Sequence, residues 1–335
     1  MSDLKAVFVM TDPSSLKWLH RTQLGSERTE NKDCFSIINI EFGTWFFVID
    51  IATSSNATAE LVESFSDYFL DHLMGLLKSE DNLSPVKSSQ GKSCQVKPFQ
   101  EKPFYDNYFE QEEHHKLLIQ KAFVATKKAL KIGVASFLSL HRSEHSNSVV
   151  GSCAGDCRLG LLKNKTIQWL TPVHTGANPL GNDFENSMAL LPERHILTKS
   201  LNLRRHFDPE TFKYKISADD IFVLATDGFW LDLNEADQQT FIKEPELFAK
   251  NASLVDDTSV LLVTWADLEQ DFIPKFMCNL SSEFKTSSHN VKIKDNNLIV
   301  IRNRSIKFSD DEDIAEALSK KLAKTFPNTE KNNEY

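Results

Sequence analysis

Apolar positions along the chain form two patterns, which predict two kinds of element. Unbroken apolar runs of about four to eight residues predict strands buried on both faces. Leu and Phe at spacings of three and four predict helices. The predicted strands are 34–40, 45–50, 134–142, 148–162, 166–170, 195–201, 220–226 and 258–265. The predicted helices are 57–78, 112–132 and 234–250.

The order of these elements indicates the fold class. Two long helices lie together between strands, which predicts an α+β fold and not a βαβ alternation. Helices layered on the faces of antiparallel sheets are the expected arrangement. Residues 79–111 hold three prolines and little apolar content, so we expect a partly disordered loop or insertion. Residues 172–194 predict a second loop.

The C-terminal part of the chain has its own pattern. Residues 290–303 predict a hairpin, and 309–326 predict a helix capped by Ser309 and Glu312. We therefore expect one domain over residues 1–267 and a C-terminal extension, hairpin plus helix, over 268–335. This extension either docks a partner such as a kinase or caps the exposed edge of the domain's sheet.

Composition excludes several classes of function. The 335 residues carry a formal net charge of -9, which disfavours a nucleic-acid-binding surface. No apolar run approaches the roughly 18 residues of a membrane helix. The five cysteines are scattered, which suits reduced thiols in the cytoplasm. No GxxxxGK loop of a kinase or NTPase is present. We expect a cytoplasmic protein that binds neither nucleic acid nor membranes.

Aspartates recur at the ends of the predicted strands. Each case alone is compatible with ordinary turn chemistry, because Asp and Gly are common turn residues. Recurrence in one chain favours convergence at one cleft, where divalent cations would offset the repulsion between carboxylates. Oxygen-only ligands favour Mg²⁺ or Mn²⁺ over zinc. The aspartates are Asp33, Asp50, Asp156, Asp227, Asp256 and Asp257.

These residues also form an ordered set of motifs. The set is Arg28-x-x-Asn31-x-Asp33, Asp50, Gly155-Asp156-Cys157-Arg158, Thr226-Asp227-Gly228-x-Trp230 and Asp256-Asp257-x-Ser259. It resembles the metal-dependent serine/threonine protein phosphatases of type 2C, also called PPM-type, over residues 20–266. The resemblance implies a four-layer α-β-β-α sandwich of two antiparallel sheets flanked by helices.

The resemblance also implies roles for individual residues. Asp50 and the carbonyl of Ile51 would bind metal, Asp227 and Asp256 would complete the first metal site, and Asp156 would join a third. Asp33 would orient water, and Arg28 would hold the substrate phosphate. The implied reaction is hydrolysis of phosphoserine or phosphothreonine in proteins, with two or more Mg²⁺ or Mn²⁺ ions. A phosphoprotein substrate and a cognate serine/threonine kinase are the implied partners.

Departures from the family pattern cluster around the second metal. Lys32 stands where a glutamate is usual, and one unit charge at ~6 Å and an effective dielectric of ~20 is worth about 3 kcal/mol. Lys32 would therefore weaken that site, unless it points into solvent or binds phosphate. Ile51 replaces a glycine and would be strained at positive φ, and no histidine follows Asp50 to protonate the leaving group. Asp257 in place of Asn is a mild change. The alternative function is a pseudophosphatase that binds a phosphoprotein or partner without turnover.

One further pair of residues has an unassigned role. His114 and His115 begin the second predicted long helix, and we expect both to be solvated.

Overall fold

Strands dominate the structure, which is a computed structural model. It describes residues 17–26, 28–40, 43–53, 55, 60–81, 108–143, 146–181, 183–185, 187–217, 220–244, 248, 254–265, 290–293 and 298–302. The strands are β1 (Lys17–Gln23), β2 (Asp33–Ile40), β3 (Gly43–Ile51), β4 (Val134–Ser143), β5 (Ser148–Ala154), β6 (Arg158–Lys163), β7 (Thr166–Trp169), β8 (Leu201–Asn202), β9 (Glu210–Lys215), β10 (Ile221–Ala225), β11 (Thr258–Thr264), β12 (Asn290–Ile293) and β13 (Leu298–Arg302).

The strands form two antiparallel sheets. Sheet I has the order β1-β11-β10-β6-β7. Sheet II has the order β12-β13-β2-β3-β4-β5-β9, and β8 pairs with β4. The long predicted strands at 34–40, 45–50, 134–142, 220–226 and 258–265 correspond to central strands of these sheets.

Charged and capping residues mark the ends of the helices. They are α1 (Glu60–Asp81), α2 (Glu112–Ala129), α3 (Asp227–Trp230) and α4 (Glu235–Lys243), with 3₁₀ helices at Met188–Leu190 and Pro192–His195. Acidic residues lie in the first turn of α2 and two lysines in its last, which matches the helix dipole. Asn234 caps α4 by accepting hydrogen bonds from the next turn. No helix within the described ranges is long and apolar enough to span a membrane.

Alternation of side chains along the strands divides the buried apolar side chains of the described residues into three hydrophobic cores. In β3, Trp45, Phe47 and Ile49 belong to one core, and Phe46 and Val48 belong to another. The first core joins sheet II to α1 and α2, and the second fills the space between the sheets. A third core joins the outer face of sheet I to α3 and α4. The predicted four-layer α-β-β-α sandwich is confirmed.

Two of the predicted strands are wrong in the structure. Residues 148–162 form β5 and β6, which belong to different sheets, and the chain crosses between them at Gly155 with φ +111°. Residues 195–201 are not a strand, because Pro192 starts a 3₁₀ helix and pairing with β4 begins only at Leu201. Strands β1 and β9 were not predicted.

The C-terminal hairpin is confirmed, and it extends sheet II. Strand β13 pairs with β2, with Ile299 opposite Asn39 and Arg302 opposite Ser36. This pairing covers the edge of β2, as the edge-capping role predicts, and the docking of a partner stays a prediction. The predicted helix at 309–326 lies outside the described residues. Residues 82–107 of the predicted loop at 79–111 also lie outside the described residues, whereas 79–81 form the end of α1.

Candidate metal and phosphate site

Three of the predicted site aspartates lie together at one end of sheet II. Asp33 in β2 is directly opposite Asp50 in β3, and Asp50 is opposite Ser136 in β4. The hydroxyl of Ser136 donates a short hydrogen bond to Asp156, at the crossing between β5 and β6. Strand pairing thus brings carboxylates from distant parts of the chain to one place.

Sheet I presents its own aspartates to the same place. Asp227 is the first residue of α3, separated from the end of β10 by Thr226 alone, and Asp256 lies shortly before β11. The backbone N–H of Thr226 donates to the carbonyl of Ser259 at 3.1 Å, which holds the ends of β10 and β11 together. The Thr226 hydroxyl donates to Asp33 Oδ2 at 2.8 Å. This hydrogen bond joins the two sheets at the site.

Burial and mutual repulsion act on these carboxylates. Burial, followed by the charge of Asp257, raises the pKa of Asp33 to about 8. Burial also raises the pKa of Asp50 well above its ordinary value, and the charge of Asp33 adds to the effect. The pKa of Asp227 is raised well above its ordinary value by burial and then by Asp156. The aspartates therefore form one electrostatic cluster, which a nearby positive charge would stabilise.

The donor set of this cluster suits a hard divalent cation. Its ligands are carboxylate oxygens, the type that Mg²⁺ and Mn²⁺ prefer. Within the described ranges, however, no three His, Cys, Asp or Glu side chains are placed to enclose a metal ion. Three carboxylates are instead hydrogen-bonded to protein groups: Asp33 to Thr226, Asp156 to Ser136 and Asp256 to Arg28. A cation that bound Asp256 through Oδ1 would have to displace Arg28.

Arg28 is engaged with a predicted metal ligand. Its Nε and Nη2 atoms lie 3.0 Å and 2.5 Å from Asp256 Oδ1. The two side chains are 22% and 34% exposed, so the ion pair lies at the mouth of the site. The residue expected to hold phosphate and a residue expected to bind metal thus neutralise each other.

Comparison with known proteins identifies the fold. No family model and no curated protein matches the sequence. Among solved structures, the PPM serine/threonine phosphatase MsPP of Mycobacterium smegmatis matches with a TM-score of 0.51 and 16% identity, over 75% of this chain and 99% of that chain. A bacterial serine phosphatase matches with a TM-score of 0.51 and 16% identity, over 76% of this chain and 100% of that chain. The phosphatase Stp1 of Staphylococcus aureus matches with a TM-score of 0.50 and 17% identity, over 77% and 97%.

The chain has the fold of the PPM-type serine/threonine phosphatases. At these identities the likeness shows the fold alone, so the chemistry rests on the residues of this chain.

On this PPM fold, Asp257 anchors the loop that carries Arg28. Its Oδ1 accepts the N–H of Gly25 at 3.0 Å, and its Oδ2 accepts the N–H of Lys32 at 2.8 Å. Asn31 fixes the same loop by accepting the N–H of Asp33 at 2.8 Å. Sequence reasoning treated Asp257 as a mild change and missed this role, because the spacing of the doublet says nothing about backbone partners.

The two departures near the second metal have a structural explanation in the PPM fold. The Lys32 ammonium donates to the carbonyls of Thr53 and Ser55, at 3.5 Å and 3.3 Å. The Lys32 side chain therefore contacts the loop after β3. The positions expected for it were the second metal site, solvent or a bound phosphate. Ile51 is the last residue of β3, and positive φ occurs among described non-glycine residues only at Asn164 and Lys165. The strain expected at Ile51 is absent.

Arg158, Trp169 and Trp230 pack together next to Asp156. The Arg158 guanidinium lies 5.2 Å from the Trp169 ring centroid and 4.8 Å from that of Trp230. The Trp230 indole N–H donates to the carbonyl of Asp156 at 2.8 Å. Because Trp230 belongs to α3, this packing fixes the position of Asp156 relative to Asp227.

Proposed function

We propose that this protein is a metal-dependent phosphatase that hydrolyses phosphoserine and phosphothreonine in proteins. The observation that carries the proposal is the cluster of buried and half-buried aspartates, contributed by both sheets of a PPM fold, with Arg28 at its mouth. A phosphoprotein is the proposed substrate. A cognate serine/threonine kinase is a further proposed partner, and the cytoplasm is the proposed location. Residues 1–267 are the proposed catalytic domain, and 268–335 its extension.

The proposed cation ligands are Asp50, the carbonyl of Ile51, Asp227 and Asp256, with Asp156 for a further ion. Bound Mg²⁺ or Mn²⁺ would neutralise the carboxylates and lower the pKa of the water that attacks phosphorus. The raised pKa values of Asp50 and Asp227 support this assignment, because burial and then the charges of neighbouring aspartates disfavour their ionised forms, and a bound cation would offset both effects.

Asp33 and Arg28 would act on the water and on the phosphate. Hydrogen bonds from Thr226 and Ser259 hold the Asp33 carboxylate, so that it can orient the attacking water. The planar guanidinium of Arg28 can bind two phosphate oxygens once it leaves Asp256. Since the loop around Arg28 is anchored on Asp257, this exchange requires only a side-chain movement.

A pseudophosphatase is the second candidate. The Arg28–Asp256 ion pair favours this second candidate, because a proposed phosphate-binding residue and a proposed metal ligand bind each other in it. Such a protein would use the cleft to bind a phosphoprotein or another partner without turnover.

Phosphate release from a phosphopeptide separates the two candidates. The full chain is incubated with Mn²⁺ and a phosphoserine peptide, and Asp227→Asn serves as the control. A phosphatase should release phosphate at least ~10²-fold faster than this variant. Release no faster than that of Asp227→Asn would reject the enzyme and leave the pseudophosphatase.

A further inference from the structure

One surface of this acidic chain carries an excess of positive charge. The formal net charge is -9, yet residues 114–143 contain no Asp or Glu. Exposed lysines lie around the end of α2, and two exposed arginines lie in the turn after β8. Together they form a surface called the basic face, which consists of Lys127, Lys128, Lys131, Arg204 and Arg205.

Backbone contacts hold the two parts of the basic face side by side. The Lys127 ammonium donates a hydrogen bond to the carbonyl of Arg205 at 3.0 Å. The backbone N–H of Leu203 donates to the carbonyl of Gly133, in the turn after α2, at 2.9 Å. The five positive charges therefore share one surface, at the end of sheet II where β4 begins.

The helix dipole explains only part of the basic face. Lys127 and Lys128 lie in the last turn of α2, where positive charge is favourable, but the other three residues lie beyond the helix. Among the described residues, none of the five forms an ion pair. Two apolar side chains adjoin them, Val124 at 49% exposure and Ile132 at 47%. A surface of this kind fits an acidic segment that also carries apolar side chains.

The C-terminal extension contains such a segment. Residues 310–316, outside the described part of the chain, read Asp-Asp-Glu-Asp-Ile-Ala-Glu, with five acidic residues and no basic one. Within the predicted helix at 309–326, Ile314 and Leu318 are four residues apart and share one side. The segment therefore matches the basic face in charge and in apolar character.

The register of sheet II brings this segment within reach of the basic face. Strand pairing leads from Arg302, the last residue of β13, across β2 and β3 to Ser139 in β4, a distance of about 14 Å. Strand β13 runs towards the end of the sheet where β4 begins, about 17 Å along the strand from Ser139. The direct separation is then ~22 Å, and residues 303–310 span up to ~26 Å when extended.

We propose that the basic face binds the acidic segment 310–316 of the same chain, so that the C-terminal extension docks on the first domain. The lysine and arginine side chains pair with the carboxylates, and Val124 and Ile132 contact Ile314. This contact is separate from the pairing of β13 with β2, and it requires no phosphatase activity.

Crosslinking of the full chain with a carbodiimide tests the contact. The reagent couples a lysine amine to a carboxylate that touches it, and mass spectrometry maps the products. We expect bonds from the three lysines of the basic face to segment 310–316. Arg204→Gln/Arg205→Gln leaves every reactive lysine in place and should lower the yield of these bonds at least ~3-fold. A similar loss is expected in ~1 M NaCl, which screens exposed charges.

The matched control is Lys215→Gln, at an exposed lysine at the other end of sheet II, which should leave the yield unchanged. A mixture of ¹⁵N-labelled and unlabelled chains identifies the partner. Bonds that join labelled to unlabelled chains would assign the basic face to a second copy and overturn the proposal. Absence of the bonds, or a yield that the arginine variant leaves unchanged, would also overturn it. Because no turnover is measured, these outcomes are independent of the proposed function.

Discussion

Ionisable side chains are buried at two places in the molecule, and burial has opposite consequences there. The first place lies between α2 and sheet II. There, His115 Nε2 of α2 lies 2.9 Å from the hydroxyl of Ser139 in β4, and the His141 ring stacks on Trp45 at a centroid distance of 4.1 Å. Burial lowers the pKa of His115 to about 3 and that of His141 well below its ordinary value. Both rings are therefore neutral at neutral pH. The prediction that His115 is solvated is wrong.

At the strand ends, the same desolvation raises the pKa of carboxylates instead. A buried histidine relieves the penalty by losing its proton, and it then packs as part of the core. The clustered aspartates repel one another when they lose theirs, so a cation would lower their free energy. The comparison teaches that burial alone does not identify a functional site. What identifies one is several buried groups of like charge in a single place.

The largest expected effect is on catalysis, from Asp50→Asn. This variant should lose at least ~10²-fold in Mn²⁺-dependent phosphate release, because it removes a central carboxylate. With a chelator present, its free energy of unfolding should equal or exceed that of the wild type, since one buried repelling charge is gone. Urea unfolding measures this. A clear loss of stability would mean that Asp50 is structural.

The next effect is on stability, from His141→Ala. Removing a fully buried ring that stacks on Trp45 should cost about 3 kcal/mol in the free energy of unfolding. His141→Phe keeps the ring and should cost less than about 1.5 kcal/mol. Neither variant should change the affinity for Mn²⁺, which titration calorimetry would show. Weakened Mn²⁺ binding would contradict the separation of the two places.

The pH dependence of stability should have opposite signs at the two places. The folded pKa of His115 is about 3 against an ordinary 6.5, so its contribution is present above pH 6.5 and is lost as the pH falls from 6.5 towards 3. The folded pKa of Asp33 is about 8 against 3.8, so its contribution is lost as the pH rises from about 4 to 8.

Two variants isolate these contributions under chelation. The stability of the wild type relative to His115→Gln should decline in acid. Its stability relative to Asp33→Asn should decline towards pH 8. Differences that stay constant with pH would contradict both assignments.

The smallest expected effect concerns Arg28 and Lys32. Arg28 competes with a cation for Asp256, so Arg28→Gln should bind Mn²⁺ several-fold more tightly. Lys32 lies on the carbonyls of Thr53 and Ser55, so Lys32→Gln should change the affinity less. Calorimetry of the two variants ranks them. The reverse order would restore Lys32 as the residue that weakens the second cation site.

Much of the fold could be predicted from the sequence, because apolar runs buried on both faces are easy to recognise. The same property hid the crossing at Gly155, since β5 is buried throughout and β6 is buried up to Leu162, and no change of period marks the switch between sheets. The position of the 3₁₀ helix Pro192–His195 depends on the bridge between Thr175 and Leu197. Contacts of that kind, like the hydrogen bonds of Asp257, leave no local pattern in the sequence.

Titration calorimetry with Mn²⁺ tests the central claim most directly, namely that aspartates from both sheets form one cation site. The account predicts saturable binding to the wild-type chain, and binding to Asp227→Asn that is at least ~10-fold weaker. If the wild type binds no Mn²⁺, or if both proteins bind it equally, the aspartate cluster is not a cation site.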